Sequence, residues 1–527
     1  MTAGSPPSGD IPMLLARAAS SHPDRTALVV EADGRPTQRL TFAELQQATR
    51  QLAAWLAGRG VRSGSRVAVM LPNTEWWPLT WLACAELGAV IVPVNRQFRV
   101  ADLRHQLLDS GSSLLVTDEQ LAAEDLSPMT PTVVLPASRT QLRPPERPVR
   151  ANAERSAALM SVQYTSGSTG PPKGCLLTQE TWVGIAEQAC RHDPGLRSGD
   201  VLLTAQPFSY IDPQWNLAAA LLVGATLVLL DGFHPSTFMA SVRRHRATVF
   251  YCLGAMPALL LAQEPSAADA DNELRFVLCS GIPAPSHGAL ERRFGAPWFE
   301  LYGSTEIGGA AIGVSAGEHD RCLGTGYLGR PLPGFDIMVV DPQGLPISNC
   351  YVVGELLVRS PNAMLGYWQA NGAVLDPRAG GWFATGDLVS RQDEGFLRFE
   401  GRARDTVRRA GENISAEEVE QVLRGFPGVA LAAVIPEDDD LRGEEVHAVI
   451  DASGTPDPEE MARYCAERIA RFKVPRYWSF QSLPMTESGK VSKQRLRALL
   501  THAPTSRYDR LAGAWTPMTM PRDGADD

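Results

Sequence analysis

One stretch of the chain organises the rest: Tyr164-Thr165-Ser166-Gly167-Ser168-Thr169-Gly170-Pro171-Pro172-Lys173-Gly174. An apolar run from Ala157 to Tyr164 predicts a buried strand before it, and the pattern from Thr178 to Arg191 predicts a helix after it. A turn rich in glycine and hydroxyl groups between a strand and a helix can hold an anion with its backbone N–H groups. The spacing is not that of a Walker loop, and an ordinary flexible loop stays open as an alternative.

The lysine in this stretch is unusual for the chain. Lysine and arginine together number 49, yet the lysines are only Lys173, Lys473, Lys490 and Lys493. Lysine carries a compact ammonium on a flexible stem, whereas arginine carries a planar fork. We therefore expect these positions to include sites that require an ammonium group.

The composition predicts a globular protein with more than one domain. The chain has 527 residues, of which 44% are hydrophobic and 20% charged, and its formal net charge is −10. This charge argues against nucleic acid as a partner, and no apolar run is long enough to span a membrane. The 8 cysteines lack metal-binding spacing and the N-terminus lacks a signal-peptide pattern, so we expect a cytoplasmic protein with reduced thiols.

The order of the predicted elements indicates a doubly wound α/β fold. A capping-box pattern at Thr41 and Glu44 opens a helix, and strands alternate with helices from there to residue 315. Two strands, Phe276 to Cys279 and Phe299 to Tyr302, run into polar turns that contain glycine. Because ligands bind at the carboxyl ends of strands in such sheets, these turns and the opening stretch predict a single site.

The rest of the chain predicts a smaller β subdomain followed by a second domain. Short strands are predicted between residues 320 and 400, and the charged segment Arg402 to Arg409 marks the junction. Helices are predicted at Ala416 to Gly425 and Pro456 to Phe472, with strands between them. We therefore predict an N-terminal domain over residues 1–403, a small α+β domain over 404–500 and a disordered tail over 501–527.

With these elements in place, the chain resembles the adenylate-forming enzymes, the superfamily of acyl-CoA synthetases, luciferases and peptide-synthetase adenylation domains. The resemblance covers roughly residues 15 to 500 and is strongest toward ligases of the crotonobetaine/carnitine–CoA type. It rests on motifs in the expected order: Tyr164 to Gly174, Tyr302-Gly303-Ser304-Thr305-Glu306, Thr385-Gly386-Asp387, Gly401-Arg402-Ala403-Arg404-Asp405, Ala410-Gly411-Glu412-Asn413 and Thr486-Glu487-Ser488-Gly489-Lys490.

The resemblance implies a two-step ligase that uses ATP, Mg²⁺ and coenzyme A. AMP is first transferred from ATP to a carboxylate with release of pyrophosphate, and the coenzyme A thiol then displaces AMP to give a thioester. The implied fold has a large N-terminal domain of doubly wound sheets with a small β subdomain, and a small, mobile α+β C-terminal domain. That domain is implied to rotate between the two steps at the hinge residue Arg404.

The resemblance also implies the residues of the nucleotide site. Lys490, Thr305 and Glu306 are implied to be catalytic, and Glu306 is also the expected Mg²⁺ ligand. The residues expected to bind ATP or AMP are Thr165, Ser166, Gly167, Ser168, Thr169, Gly170, Lys173, Gly281, Tyr302, Gly303, Ser304, Thr305, Asp387 and Arg402. The residues expected at the coenzyme A site are Arg408, Arg409, Gly411, Glu412 and Lys473, of which Arg408, Arg409 and Lys473 have a solvated or structural role as the alternative.

One motif departs from the family pattern. In Pro207-Phe208-Ser209-Tyr210-Ile211-Asp212, Tyr210 stands where relatives usually carry histidine. That side chain borders the acyl site in relatives, so Tyr210 is a further catalytic candidate, and tyrosine could change the substrate or weaken one half-reaction. The acyl pocket is expected to involve Tyr210, Trp215, Gly281, Gly303, Gly308 and Gly309. The glycines favour a bulky acid over acetate, with close backbone packing as their alternative explanation.

The leading hypothesis is therefore an ATP-dependent acyl-CoA synthetase for a bulky carboxylic acid. One alternative is a thiolation-only enzyme that receives a preformed acyl-adenylate from an adenylating partner enzyme. Another is an adenylating enzyme that loads a carrier protein, and a third is a non-catalytic adenylate-binding protein. The sequence does not name the acid, and a homodimer stays open because the family often forms dimers.

Overall fold

The computed structural model of the protein describes most of the chain. The described residues are 9–31, 37–96, 98, 100–118, 131–136, 138–142, 159–165, 172–369, 372–402, 405–409, 412–439, 442–486, 490–502 and 506–517. They form three β-sheets with helices packed on their faces. None of the helices in these ranges is both long enough and apolar enough to cross a membrane.

The strands and helices are numbered in chain order. The strands are β1 Thr26–Glu31, β2 Gln38–Thr41, β3 Arg66–Met70, β4 Val90–Pro93, β5 Leu114–Thr117, β6 Thr132–Val134, β7 Leu159–Thr165, β8 Lys173–Thr178, β9 Val201–Thr204, β10 Thr226–Leu230, β11 Val249–Leu253, β12 Phe276–Ser280, β13 Trp298–Ser304, β14 Gly309–Gly313, β15 Tyr327–Pro331, β16 Asp336–Val340, β17 Val353–Arg359, β18 Tyr367–Trp368, β19 Val374–Leu375, β20 Phe383–Arg391, β21 Leu397–Arg402, β22 Thr406–Arg409, β23 Glu412–Ser415, β24 Val429–Asp439, β25 Gly443–Ala452, β26 Tyr477–Phe480, β27 Ser506–Asp509 and β28 Ala514–Pro517. The helices are α1 Ile11–Ser21, α2 Phe42–Ala57, α3 Trp76–Leu87, α4 Val100–Ser110, α5 Gln179–Arg191, α6 Ile211–Val223, α7 Pro235–Arg244, α8 Met256–Leu261, α9 His287–Phe294, α10 His319–Cys322, α11 Ala416–Arg424, α12 Pro458–Ala466 and α13 Lys493–His502.

The largest sheet has 13 strands in the order β16-β17-β20-β21-β15-β14-β13-β12-β11-β9-β10-β1-β2. Its middle, from β13 to β1, is parallel, and its two ends are antiparallel. The strands between residues 320 and 400, which were predicted as a small β subdomain, pair antiparallel and join the edge of this sheet through β14 and β13. The sheet therefore carries the Tyr302 and Asp387 motifs on strands that are close in space.

The second sheet has 8 strands in the order β19-β18-β8-β7-β4-β3-β5-β6. One apolar core joins it to the largest sheet, because the core contains buried residues from both sheets and from helices α3, α5 and α6. Trp81 on α3 and Trp182 on α5 meet edge to face in this core, with their ring centroids 5.5 Å apart. The predicted capping box of α2 is confirmed, since Thr41 and Glu44 exchange backbone-to-side-chain hydrogen bonds.

The opening stretch joins two strands rather than a strand and a helix, which differs from the prediction. Strands β7 and β8 pair antiparallel from Leu159 and Thr178 to Thr165 and Lys173. The reason is the apolar run Cys175, Leu176 and Leu177, which is buried in the sheet before α5 begins at Gln179. The stretch is thus a hairpin loop, and no helix N-terminus follows it directly.

The third sheet, with 7 strands, belongs to the small C-terminal domain and also differs from one prediction. Strands β27 and β28 form a hairpin that adds to β26, in the segment predicted to be a disordered tail. Arg476 explains its order, because its guanidinium donates to both carboxylate oxygens of Asp509, at 3.2 and 3.0 Å. Trp515 also packs against Tyr508 and Phe480.

The predicted helix from Pro456 to Phe472 is shorter in the structure, since α12 ends at Ala466.

Candidate active site

The first part of the site lies where β13, β20 and β21 meet. The Tyr302 hydroxyl donates to Asp387 Oδ2 at 2.6 Å, and the Arg402 guanidinium donates to Asp387 Oδ1 at 3.1 Å. Burial, followed by the negative charge of Asp387, raises the pKa of the Tyr302 phenol well above its usual range, so the hydroxyl keeps its proton. Residues of three separate motifs are thereby fixed around one carboxylate.

The second part of the site holds the two ends of the hairpin loop. The Thr165 hydroxyl, at the end of β7, donates to Glu306 Oε1 at 3.2 Å, and the Tyr367 hydroxyl donates to the same oxygen at 3.4 Å. The Lys173 ammonium, at the start of β8, lies 5.1 Å from the centroid of the Tyr367 ring. A carboxylate, two hydroxyls and an ammonium therefore gather beside the loop.

The third part is the turn after β12, which a buried carboxylate holds in place. Glu300 accepts a hydrogen bond from the backbone N–H of Gly281 and another from Ile282, each at 2.7 Å. Burial raises the pKa of Glu300 to about 7, although these two N–H groups and the charge of Lys490 act in the opposite direction. Gly281 has a φ of +94°, and a side chain there would meet no atom within 4 Å, so the turn faces open space.

Lys490 reaches the same cleft from the small domain. The Lys490 backbone N–H donates to the Thr486 hydroxyl at 3.0 Å. The side chain keeps an exposed surface, yet the surrounding protein lowers the pKa of its ammonium through burial first and the charge of Arg402 second. The carboxylates of Asp212, Asp387 and Glu300 act on the pKa in the opposite direction, so the ammonium lies within electrostatic range of three acidic groups of the large domain.

The first turn of α6 forms a further wall. Burial raises the pKa of Asp212 to about 6, against the charge of Lys490 and a hydrogen bond from Trp215. The Trp215 ring meets the Tyr251 ring edge to face, with the ring centroids 5.5 Å apart. The Tyr251 hydroxyl is hydrogen bonded to Ser280 Oγ at 2.7 Å, directly before the open turn at Gly281. This wall therefore runs from Asp212 to the turn after β12.

Tyr210 lies just before α6, at its N-cap position. Its hydroxyl accepts a hydrogen bond from the Asn95 amide at 3.3 Å. Gln214 donates to the Tyr210 carbonyl at 2.9 Å and to Gln163 at 3.2 Å, and Gln163 in turn donates to the Ser209 carbonyl. The segment that departs from the family pattern is thus anchored to β7, the strand that leads into the hairpin loop.

The glycines assigned to the acyl pocket serve different purposes. A side chain on Gly308 would lie 1.9 Å from the Asn362 carbonyl oxygen, and one on Gly303 would lie 2.2 Å from the Gly309 carbonyl oxygen. At both positions the backbone leaves no room for any side chain, which favours the packing explanation. Gly281 is the one whose missing side chain faces open space.

Two of the positions predicted for coenzyme A, Lys473 and Arg409, form charged pairs. The Lys473 ammonium donates to both carboxylate oxygens of Glu418 at 2.7 Å, and the Arg409 guanidinium donates to the buried Glu445 at 2.6 Å. Their role toward coenzyme A stays a prediction.

Several other predicted residues fall outside the described residues: Ser166, Gly167, Ser168, Thr169 and Gly170 of the loop, the hinge Arg404, Gly411, and the side chains of Arg408 and Glu412.

The residues of the site that the sequence analysis did not predict include Glu300 and Tyr367. Glu300 lies two positions before Tyr302 on a strand, so the alternation of side chains places both on one face, and this signal was available. Tyr367 lies on the short strand β18, far along the chain from Glu306, and no sequence pattern indicated their contact.

Taken together, the cleft offers groups suited to a polyanion that carries an aromatic base and a sugar. Lys173, Lys490 and Arg402 supply positive charge, and Asp387 supplies a buried hydrogen-bond acceptor. The turn at Gly281 leaves space beside its backbone for a ligand. The oxygen atoms of Glu306, Thr165 and Tyr367 are hard donors of the type that Mg²⁺ prefers.

Comparison with known proteins gives matches over nearly the whole chain. The family model of the AMP-binding enzymes matches residues 15–368, and that of the AMP-binding enzyme C-terminal domain matches residues 418–490. A feruloyl-CoA synthase of an Amycolatopsis species is 33% identical over 474 residues, which cover 87% of this chain and 93% of that protein. A crotonobetaine/carnitine–CoA ligase of Escherichia coli is 31% identical over 508 residues, which cover 90% of this chain and 96% of that protein.

A solved structure shows the same architecture. The o-succinylbenzoate–CoA synthetase of Bacillus subtilis, in complex with its acyl-adenylate intermediate, is similar with a TM-score of 0.81 at 30% identity, over 92% of this chain and 97% of that one. The same enzyme in complex with ATP and a magnesium ion is similar with a TM-score of 0.80 at 30% identity, over 92% of this chain and 99% of that one.

Proposed function

Because this chain belongs to the family of AMP-binding enzymes, we propose that it joins a carboxylic acid to coenzyme A through an acyl-adenylate. It is an AMP-forming acid–thiol ligase, with ATP, Mg²⁺ and coenzyme A as its nucleotide, metal and acceptor. The observation that supports the adenylate route best is that Lys490 of the small domain lies within electrostatic range of Asp212, Glu300 and Asp387 of the large domain, whose charges act on the pKa of its ammonium.

In the first step a carboxylate oxygen of the acid attacks the α-phosphorus of ATP. The bond from that phosphorus to the bridging oxygen breaks, and pyrophosphate leaves. Negative charge accumulates around the phosphorus, and the Lys490 ammonium lies in the cleft where it can stabilise that charge. Asp387, fixed by Tyr302 and Arg402, is the buried acceptor suited to the ribose hydroxyls.

The metal implied by the family fits the residues beside the hairpin loop. Glu306 is the carboxylate ligand we propose, and the Thr165 and Tyr367 hydroxyls, which now donate to it, are oxygen neighbours of the kind a hard cation takes. When bound, Mg²⁺ supplies positive charge that neutralises the phosphate oxygens. Lys173, whose ammonium lies 5.1 Å from the centroid of the Tyr367 ring, is assigned to the β- and γ-phosphates.

In the second step the sulfur of coenzyme A attacks the carbonyl carbon of the acyl-adenylate. The bond from that carbon to the AMP oxygen breaks, AMP leaves, and the thiol proton passes to solvent. We propose that the small domain rotates about Arg404 before this step, so that the segment around Gly411 replaces Lys490 at the cleft. The family assignment supports this rotation.

We propose that the acid is larger than acetate. Two observations support this: the turn at Gly281 faces open space, and the relatives named above are a feruloyl-CoA synthase, a crotonobetaine/carnitine–CoA ligase and an o-succinylbenzoate–CoA synthetase. Gly303 and Gly308 give this proposal no support, because backbone packing already requires them.

The decisive test is pyrophosphate release from ATP and a panel of carboxylic acids, with and without coenzyme A. Release without coenzyme A, followed by thioester formation when it is added, is the expected result. If pyrophosphate is never released but a synthetic acyl-adenylate is converted to the thioester, the thiolation-only alternative suggested by Tyr210 replaces this proposal. A Tyr210→His variant that gains pyrophosphate release would point the same way.

A carrier protein is the alternative acceptor. The test compares coenzyme A with a phosphopantetheinyl carrier protein at equal thiol concentration, using the acid that gives the fastest pyrophosphate release. Faster transfer to coenzyme A is expected. Transfer to the carrier alone would replace coenzyme A in the proposal and leave the adenylation step unchanged.

A further inference from the structure

Lys493 is a lysine to which the proposed chemistry assigns no role, in a chain that uses arginine almost everywhere else. It is the first residue of α13, three positions after Lys490. Its side chain is only 16% exposed, whereas lysine side chains mostly extend into solvent. This burial requires that the ammonium be paired within the small domain.

The Lys493 ammonium lies between two carboxylates. Its Nζ is 2.8 Å from Glu420 Oε1 on α11 and 3.4 Å from Asp405 Oδ2. Glu420 is buried, and the same oxygen accepts a hydrogen bond from the backbone N–H of Val434 on β24 at 2.7 Å. Because a buried carboxylate needs a paired charge, Glu420 and Lys493 hold each other in place. The start of α13 is thereby fixed to α11 and β24.

The two ends of the segment that carries Lys490 pair with each other directly before α13. Met485 and Val491 form an isolated antiparallel bridge, and the Ser492 backbone N–H donates to the Pro484 carbonyl at 2.7 Å. The segment is therefore closed at its base, and its base continues into the first residue of the helix. A charge pair at that residue sets where the segment lies relative to the rest of the small domain.

We propose that Lys493 is a positioning residue for adenylation, which holds the Lys490 segment in place through its pairing with Glu420. This inference rests on the proposed function, because it concerns how Lys490 is presented in the first step. In this role Lys493 acts through Lys490 and not on the substrates. The second step takes place after Lys490 has left the cleft, so loss of the Lys493 charge should slow adenylation and spare thiolation.

The alternative is that Lys493 only neutralises Glu420 and stabilises the small domain. Lys493→Met would then lower stability and slow both half-reactions by the same factor. The double variant Lys493→Met/Glu420→Gln would restore both stability and rates, because glutamine is uncharged and still accepts from the Val434 N–H. A positioning role predicts instead that the double variant regains stability and stays slow in adenylation.

The experiment measures the two half-reactions separately with the full-length enzyme and the acid that gives the fastest pyrophosphate release. Pyrophosphate release reports adenylation, and thioester formation from the synthetic acyl-adenylate reports thiolation, both below the unfolding temperature of every variant. We expect Lys493→Met to lower kcat for adenylation by about 10- to 100-fold, the cost of a small misplacement of a reacting group. The KM for ATP and the thiolation rate should stay within about threefold of the wild type. Lys493→Arg keeps the charge and should lie closer to the wild type than Lys493→Met.

A double-variant cycle with Lys490 tests whether Lys493 acts through it. In a Lys490→Met background, Lys493→Met should slow adenylation by less than about threefold further, because residues that act as a unit are not additive. The matched control is Arg468→Met, which removes an exposed cation of the small domain that is paired with Glu467 and should change neither rate.

The proposal is overturned if Lys493→Met leaves adenylation unchanged, if it slows both half-reactions equally, or if its effect multiplies with that of Lys490→Met. Recovery of adenylation in Lys493→Met/Glu420→Gln would also overturn it. In each of these cases the wild-type enzyme still releases pyrophosphate, so only the positioning role is wrong. If the wild-type enzyme releases none with any acid, the proposed function fails and this inference fails with it.

Discussion

Replacing Lys490 by methionine should separate the two half-reactions. Methionine keeps much of the length of the side chain and removes the ammonium that lies within electrostatic range of Asp212, Glu300 and Asp387. A unit charge about 4 Å from the developing phosphoryl charge is worth about 4 kcal/mol at an effective dielectric constant of about 20. Arg402 acts on the same cleft and compensates in part, so we expect adenylation to slow by about 10²- to 10³-fold, the range found when one transition-state donor is removed.

The assay measures each step alone. Pyrophosphate release from ATP and the preferred acid reports adenylation, and thioester formation from the synthetic acyl-adenylate reports thiolation. The first rate should fall as stated and the second should stay within about threefold of the wild type. Arg495→Met is the control, since this exposed cation of the same domain lies on α13 and should change neither rate. The reasoning is refuted if both rates fall equally, or if neither changes.

Three further substitutions test the site. Glu300→Gln removes a carboxyl whose pKa rises from 4.5 in the unfolded chain to about 7 in the folded protein. The folded wild type therefore binds this proton more tightly, and its free energy of unfolding should fall relative to that of the variant by about 3 kcal/mol as the pH rises from 4.5 to about 8. Urea unfolding at several pH values measures this difference. Gly308→Ala and Gly281→Ala both place a side chain at a positive φ, of +68° and +94°, but only the first would bring the new Cβ within 1.9 Å of Asn362 O. Gly308→Ala should therefore lower the melting temperature more than Gly281→Ala, and equal losses in thermal unfolding would contradict the packing assignment. Asp387→Asn should raise KM for ATP by about 10- to 100-fold by weakening a charged acceptor, with the KM for the acid as the internal control.

The alternation of elements in the large domain could be predicted because it depends on local patterns. The capping box at Thr41 and Glu44 and the apolar strands around residues 66–71 and 276–279 follow from side-chain period and helix-end chemistry, and the structure has them within a residue or two. The order of strands within the sheets does not follow from such patterns. It depends on which apolar faces cover one another, as shown by the strands after residue 320 that continue the largest sheet.

The C-terminal hairpin shows why a composition argument failed. Residues 501–517 are polar and contain few apolar groups, which is typical of disorder. Residues 506–517 nevertheless form a hairpin, because Asp509 accepts hydrogen bonds from the guanidinium of Arg476 and Trp515 packs against Phe480. Both partners lie about 30 residues earlier in the chain, and a local window of sequence cannot contain such contacts.

Within the site, the residues of the motifs could be predicted from the sequence. The residues that hold these motifs in position through hydrogen bonds could not. Tyr302, Asp387 and Arg402 were expected from the resemblance, and the structure brings them together around one carboxylate. Glu300 could be recognised as the neighbour of Tyr302 on the same face of β13. Its hydrogen bonds to the backbone of the turn after β12, however, depend on β12 and β13 being neighbours in the sheet. A residue that supports a site through the backbone of another element leaves no motif in the sequence.

The hairpin formed by β7 and β8 changes how the proposed phosphate loop would hold an anion. With β8 following directly, the dipole of α5 cannot act at the loop, because the helix begins at Gln179, beyond the whole of the strand. Positive charge must instead come from Lys173 and from backbone N–H groups. The contact of Thr165 with Glu306 fixes one end of the loop to the proposed metal ligand. If the loop holds phosphate and Glu306 holds the metal, as proposed, the two sites are coupled through these two side chains. Thr165→Val should then weaken the apparent affinities for ATP and for Mg²⁺ together, whereas independent sites would lose only one of them.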